Sequence, residues 1–487
     1  MDKLRKMQNL NQNPPVGELK KIVSLVDRSD FDQYIYPLNS ENTKFQPAVK
    51  PYHNYTKETV TWPFVGSPEW GKRITFEVPW PWEGDFLNWI ALRLKPLSWI
   101  PTDVQHHLGP TLGDWTITNG NFYVWANNLG TSAIALAEME VDGVIVEQFS
   151  GDWINVWNRT NHSVSNATGW DDATFGSYTQ PPSLNNIWPS EDGYIYCYLP
   201  FWFSRWANTA FPLVSVRGPR TVRFHITLRP FLEVIQKLNA PLACNETPLN
   251  TTFKVQQPPF NTGNYVSITT QGGVPAFEAA DILAGISYID NPLRQAYIEQ
   301  PHELMMNPVT EITYGEPLKY VLSKTVDGIN IQLPIVGNGP LKQLLFFIRR
   351  KAVAEYNEWT NYSATNTQDA DPTWNPVKPL LKRAVLQIGT ATWVDEGEQW
   401  WRAAANTPMP GGVRGYGSYI YGYNFAEKPT EFSPSGTLNP DRVDMRLNLT
   451  VNPPNGPSDG EWTVTVFLIS TNWMRFQNSI ANQVFMD

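Results

Sequence analysis

One strand-like pattern that occurs twice sets the strongest constraint on this chain. The stretch Gly193–Arg205 reads G-Y-I-Y-C-Y-L-P-F-W-F-S-R, alternating aromatic and β-branched residues before a Pro and a bulky apolar cluster. That is the make-up of a strand buried on at least one face. Tyr419–Tyr423 repeats it as Y-I-Y-G-Y, 225 residues on (Tyr194 to Tyr419). A loop and a second alternating run follow each copy: Val222–Leu228 (V-R-F-H-I-T-L) in the first and Val443–Leu449 (V-D-M-R-L-N-L) in the second. Upstream, Ile74–Pro79 (I-T-F-E-V-P), a turn over Pro79–Gly84 and Leu87–Leu94 are echoed by Ile329–Pro334 (I-N-I-Q-L-P), a Gly/Pro turn and Leu344–Arg349. Here the offset is 255 residues (Ile74 to Ile329). The first copy therefore carries about 30 extra residues, expected as longer loops, because closing a longer loop costs little more entropy. One block of chain has been used twice.

The rest of the strand pattern fits two antiparallel sandwiches. Phe122–Trp125, Ala133–Val146 and Gly151–Trp157 are strand-like runs of the first copy; Ala384–Ile388 and Trp393–Trp401 belong to the second. Ile282–Ile289 and Trp462–Ile469 read as their last strands, and Asn291–Met306 as a helical or linker segment between them. At 487 residues the chain exceeds one core and suits two all-β domains. Only 17% of residues are charged, while 21 Trp, 20 Tyr, 23 Phe, 41 Pro and 32 Gly favour strands joined by ordered loops over helices. Residues 1–60 differ: Pro14-Pro15 breaks the chain, and Leu19, Ile22, Val23 and Val26 fall at helical spacing, so an extended arm with a short amphipathic helix is expected. The expected layout is an N-terminal arm over 1–60, a first sandwich over 61–300 and a second over 301–487.

Composition also excludes several functions. A net charge of −9 gives no general drive toward nucleic acid, so no direct nucleic-acid binding is expected. Cys197 and Cys244 are the only cysteines, which excludes a disulfide framework and a Cys-rich zinc site; both are expected as free thiols. No run of 18 apolar residues suggests a membrane span, and the start M-D-K-L-R-K lacks a signal-peptide core. The eight N-x-S/T sequons, at Asn54, Asn158, Asn161, Asn166, Asn245, Asn250, Asn361 and Asn448, are expected to be plain loop asparagines.

The chemistry-bearing candidates are weak. His106-His107, with Asp103 nearby, lacks a third converging ligand for a metal. Asp395, Glu396 and Glu398 beside Trp400 and Trp401 could suggest a glycosidase or sugar groove, yet no residue to raise a carboxyl pKa accompanies them, and a solvated strand end fits better. Gly412, Gly415 and Gly417 form G-x-x-G-x-G without the strand–loop–helix setting of a phosphate loop. Trp80-Pro81-Trp82 could stack sugars but directly follows a strand, where packing is the simpler role. No catalytic, cofactor-binding or metal site is expected, no cofactor, and no enzyme.

Several blocks, taken in order, resemble the major capsid proteins of nucleocytoplasmic large DNA viruses. They are N-L-G at 128–130, E-M-E-V-D-G at 138–143, G-D-W at 151–153, L-P-F-W-F-S-R at 199–205, A-F-P-L-V-S-V at 210–216, V-R-F-H-I-T-L-R-P at 222–230, Y-I-D-N-P-L-R-Q-A-Y-I-E-Q-P-H-E at 288–303, P-S-G-T-L-N at 434–439 and N-W-M-R-F-Q-N-S at 472–479. The resemblance runs from about Ile74 to the C-terminus. It departs in the long arm, in N-P-D-R at 439–442 and in the Thr/Asn/Pro-rich stretch 240–278. It implies an all-β fold of two tandem jelly rolls, homotrimeric pseudo-hexagonal capsomers and an icosahedral shell. Its partners would be neighbouring capsomers, minor capsid and penton proteins and a nearby inner membrane, in a virion assembled in the host cytoplasm. A membrane-shaping viral scaffold of the same fold and a carbohydrate-binding jelly roll are the alternatives.

Overall fold

The computed structural model describes residues 53–484 apart from 97–98, 102–103, 107–114, 118–120, 162–168, 170–172, 175–193, 240–253, 257–264, 268–275, 316–328, 352–355, 365–377, 405–418, 453–461 and the single positions 207, 220, 338 and 430. From Tyr55 onward these residues belong to one unit, Tyr55–Asp487. The stripe at Leu19–Val26, Cys244 and the three glycines Gly412, Gly415 and Gly417 lie outside the described residues.

Among the described residues, eight main strands frame the first half, with shorter strands in its loops: β1 (Tyr55–Val65), β2 (Arg73–Glu77), β3 (Phe86–Pro96), β4 (Ile134–Val141), β5 (Val144–Phe149), β6 (Ile195–Leu199), β7 (Val222–Leu228) and β8 (Phe277–Ile289). β1 opens inside the stretch read as arm. Along the sheets the order is β6-β3-β8-β1 and then β2-β7-β4-β5. β1 belongs to both: Tyr55 to Pro63 pair with β8, and Phe64 and Val65 pair with β2. Pro63, unable to donate a ladder hydrogen bond, sits at that changeover. The second half repeats the plan with β9 (Val309–Tyr314), β10 (Ile329–Ile335), β11 (Leu341–Arg350), β12 (Leu381–Ile388), β13 (Ala391–Gly397), β14 (Ile420–Asn424), β15 (Met445–Val451) and β16 (Trp462–Ser470). Its sheets run β9-β16-β11-β14 and β10-β15-β12-β13, the same order strand for strand. All pairs are antiparallel, and each half is a jelly roll.

Irregularities in the ladders fix which residues match. Both β4–β5 and β12–β13 carry a β-bulge at the same step, after Met139–Glu147 in one and Leu386–Val394 in the other. β3–β8 and β11–β16 likewise share a register shift, at Gly285/Ile286 and at Leu341/Gln343. A side-chain hydrogen bond recurs too: His225 Nε2 lies 2.9 Å from Glu140, and Asn448 Nδ2 donates to Gln387 at the matching place, 3.0 Å. These landmarks correct the offsets read from the sequence. Cys197 pairs with Leu92, whose match Phe346 pairs with Tyr421. The two Y-I-Y runs thus lie on equivalent strands one residue out of step, which reverses faces. Tyr196 is exposed, while Tyr421 is buried in the core. Ile74 matches Ile331 instead of Ile329; a two-residue shift keeps the face.

Inside each roll the alternate residues meet. Leu92 and Leu94 of β3, Ile282 and Ala284 of β8, and Phe76, Phe224 and Ile226 fill the first; Leu344, Phe346, Leu447, Val464 and Val466 fill the second. Phe201, Trp202 and Phe203, just after β6, are all fully buried, with the Phe201 and Phe203 rings parallel at 6.0 Å. Cys197 is a buried free thiol on the core side of β6, and burial pushes its pKa up.

Two runs read as strands contain helices, and the segment read as helical or linker is a helix followed by a strand. Gly151–Trp157 lies in a helix, α1 (Gly151–Asn161), because Trp153, Trp157 and Thr160 recur at helical spacing on a buried face. Asn291–Met306 divides into α2 (Asn291–Glu299) and a strand, His302–Met306, that pairs with Asn472–Gln477. The run Trp393–Trp401 leaves β13 at Gly397 and continues as α3 (Glu398–Ala404), the counterpart of α1. Ala133–Val146 is a hairpin, turning at Asp142 and Gly143, both at positive φ (51° and 82°), as a tight two-residue turn requires. No helix among the described residues is long and apolar enough to cross a membrane.

Candidate functional site

The seam between the two rolls encloses several charged side chains away from water. Its first element is β5, V-I-V-E-Q-F, which carries Glu147 as its one charged residue. Glu147 accepts from the Trp202 amide (2.7 Å), the Val309 amide (3.1 Å) and the Arg205 guanidinium (2.5 Å). Arg205 also donates to the carbonyls of Pro200 (2.8 Å) and Asn307 (2.5 Å), and its guanidinium lies 5.3 Å from the rings of both Trp153 and Trp157. Neither charged side chain has any exposure. Burial pushes the Glu147 carboxyl up, against Arg205 and the two amides; burial likewise pulls Arg205 down, against Glu147. Full hydrogen bonding is what such a pair needs, since the desolvation cost is several kcal/mol per ion. The L-P-F-W-F-S-R block is thereby explained: three aromatics plug the first roll, and the arginine ties β5 to the segment that opens the second.

A second group extends the seam through G-D-W. Gly151 sits where an added Cβ would be 2.2 Å from the Thr131 carbonyl oxygen and 2.6 Å from that of Ile134. Asp152 takes a two-pronged hydrogen bond from Arg349 of β11, one arm at 2.9 Å, and Arg349 also donates to the Trp359 carbonyl at 2.7 Å. Burial opposes the Arg349 charge, but Asp152 outweighs it and its pKa lies above the ordinary value. Trp153 lies on Phe467 of β16, ring centroids 5.3 Å apart. Asn155 donates to the Tyr362 hydroxyl at 2.7 Å. Ser150, before the helix, accepts from the Asp152 amide at 3.2 Å, a helix cap, and donates to Glu311 of β9 at 2.9 Å.

A groove of about 1110 Å³ runs along this seam, lined among others by Val146, Phe149, Val309 and Trp473. Its carboxylates, Glu147 and Glu311, are already bonded across the seam, so they hold the rolls together and are not poised for acid–base work. The sequence-level candidates do not converge either. His106 ends a three-residue strand, Val104–His106, and Asp103 and His107 lie outside the described residues. No group of three or more His, Cys, Asp or Glu among the described residues could hold a metal. Asp395 pairs with Arg383, and Glu398, on α3, pairs with Arg402 at 3.2 Å. Trp401 is buried, donating to the Ala384 carbonyl at 3.0 Å. Trp82 is half-buried and donates to the Val216 carbonyl at 2.8 Å, with the exposed Trp80 edge-on to it. Among the described sequons, Asn158 is buried and donates to the Ile154 carbonyl, while Asn54 is exposed.

What sequence reasoning missed here is the pairing of Glu147 with Arg205. The available signal was a single carboxylate inside V-I-V-E-Q-F and a single arginine closing an aromatic cluster.

Comparison with known proteins bears on this arrangement. The family described as "Major capsid protein N-terminus" matches residues 43–252. The major capsid protein of Pyramimonas orientalis virus is 21% identical over 462 residues, covering 92% of this chain and 94% of the relative. Among solved structures, the PBCV-1 virus capsid is similar with a TM-score of 0.65 at 15% identity, covering 91% of this chain and 100% of its own. The Faustovirus major capsid protein follows with a TM-score of 0.62 at 12% identity, covering 97% and 96%. At those identities the structures speak for the fold, and the doubled jelly roll is theirs. Along most of its length the chain resembles the double jelly-roll major capsid proteins of large DNA viruses, and the comparisons support a major capsid protein of a large DNA virus.

Proposed function

We propose that this chain is the building unit of an icosahedral virion shell, acting as a homotrimeric, pseudo-hexagonal capsomer and catalysing no reaction. The observation that carries this is the strand-for-strand repetition of one jelly roll inside a single chain. Three chains bring six rolls around a three-fold axis and give a nearly six-fold outline, a shape that tiles a flat facet. Closed rings are the usual way to satisfy such head-to-tail surfaces without forming fibres. In this reading the arm is the stretch ahead of β1, shorter than the 1–60 expected from the sequence because β1 opens at Tyr55, and the rolls divide near residue 300, with the seam holding each pair of rolls rigidly at the spacing the ring needs. The partners are two further copies, neighbouring capsomers and minor capsid and penton proteins, over an inner viral membrane, with assembly in the host cytoplasm. Negative-stain images of the purified protein test it: trimers of hexagonal outline are expected, and a field of single two-lobed particles would overturn it. A transient membrane-shaping scaffold of the same fold predicts the protein's absence from mature particles, which proteomics of purified virions decides.

A further inference from the structure

The repeat allows one contact between chains to be named from a contact within the chain. Inside the chain, Trp153 of α1 is fully buried on Phe467, which lies on the outer face of the second roll's β9-β16-β11-β14 sheet. The shared bulge in β5 and β13 makes Trp400 the counterpart of Trp153, since Glu147 matches Val394. The shared shift in β8 and β16 makes Leu283 the counterpart of Phe467. Neighbours agree with this assignment: Ile154 and its match Trp401 are both buried against their own rolls. So α3 turns Trp400 outward as α1 turns Trp153 outward.

Neither counterpart is covered. Trp400 is 39% exposed, and Trp393, the bulge residue of β13, is 49% exposed. Leu283 is half-buried on the outer face of the first roll, in a patch with the exposed Tyr196. Trp89 adds to that patch, lying across Gly285 so closely that a Cβ there would meet the indole nitrogen at 2.1 Å. Each chain thus repeats, uncovered, both halves of a contact that it makes internally. Two exposed tryptophans and a facing apolar patch are what a core of a protein interface contains.

The geometry points to Trp400 of one copy docking on Leu283 of a second copy, reproducing the Trp153–Phe467 contact between chains. This rests on the self-assembly proposed above and specifies which surfaces carry it. The contact is head-to-tail, so it propagates until the ring closes. Its charges are placed differently from those of the internal one: Arg93 and Asp281 pair on the face beside Leu283, where Phe347 and Thr465 stand in the second roll. Asp152 and Ser150 match Gln399 and Gly397, so the interchain copy lacks the Asp152 and Ser150 anchors and depends more on its tryptophans.

Cross-linking tests it on the full chain in a Cys244→Ser background. Lys95→Cys and Gln399→Cys, the counterparts of the paired Arg349 and Asp152, leave Trp400 and Leu283 in place; they are introduced together, and separately as controls, and treated with a short bismaleimide. The double variant is expected to give covalent dimers and trimers, and the single variants none beyond background. Light scattering is run on the untreated parent and on Trp400→Glu, whose melting temperature reports folding. The expected result is three chains for the parent and a shift to one for Trp400→Glu at the same concentration. A parent trimer with no specific cross-link, a cross-link confined within one chain, or a folded Trp400→Glu that stays trimeric overturns this docking and leaves the trimer standing. A monomeric parent overturns both.

Discussion

Glu147 and Arg205 show what one buried charge pair does in a chain with few charges. Each is fully enclosed, and each satisfies the other together with backbone groups from two separate segments, 200–202 and 307–309. Removing one partner leaves an uncompensated ion, which typically costs ~3–5 kcal/mol. Glu147→Gln or Arg205→Met is expected to lower unfolding free energy by that order in urea titrations, while Glu147→Leu with Arg205→Met recovers most of it. Single variants within about 1 kcal/mol of the parent would contradict this. Lys342 is the opposite case, a buried amine whose Nζ donates to the Glu431 carbonyl at 2.6 Å and for which burial outweighs the pull of the Glu431 carboxylate. Burial and then the nearby Arg205 pull its pKa down from 10.5 to about 8. Below pH 8 both folded and unfolded states carry the proton, and the folded state bears the full penalty, ~3 kcal/mol for a shift of this size. Between pH 8 and 10.5 the folded state has already released it, and the penalty fades. Lys342→Met should therefore raise the melting temperature at pH 7 and lose that advantage near pH 10.5; an advantage that grows with pH would show the sign to be wrong.

At the scale of elements, α1 illustrates how tertiary fit overrides local preference. Alanine is a better helix former than glycine by about 1 kcal/mol. At Gly151, though, a Cβ would press on backbone oxygens of Thr131 and Ile134, which cannot swing aside as a side chain can. Gly151→Ala is expected to destabilise by ~1–3 kcal/mol, as overpacking does, read by chemical denaturation; a gain would mean the helix start has room to move. The same helix marks a limit of the sequence. Most strands of each half were legible, because alternation and turn residues recur in both copies; β1 was not, since it starts in the stretch read as arm. Register was not legible either, since Y-I-Y matches Y-I-Y as text while Tyr196 faces out and Tyr421 faces in. The helices α1 and α3 were hidden because α1 is rich in Trp, Ile and Val and α3 carries two adjacent Trp, residues that also favour strands. The Glu147–Arg205 tie joins residues 58 apart in sequence, and nothing in spacing announces that both are buried.

For the whole molecule, the two rolls are joined by a seam that is charged and hydrogen-bonded, and the counterpart surfaces facing outward are aromatic and open. A seam of that kind fixes the angle between the rolls, and a fixed angle is what lets identical chains close into a ring. The central claim is that the ring contains three chains. Light scattering behind a sizing column, at micromolar concentration and on dilution from it, tests this most directly. A single species of about three times 55.4 kDa that survives dilution is predicted; a stable monomer or dimer would contradict it.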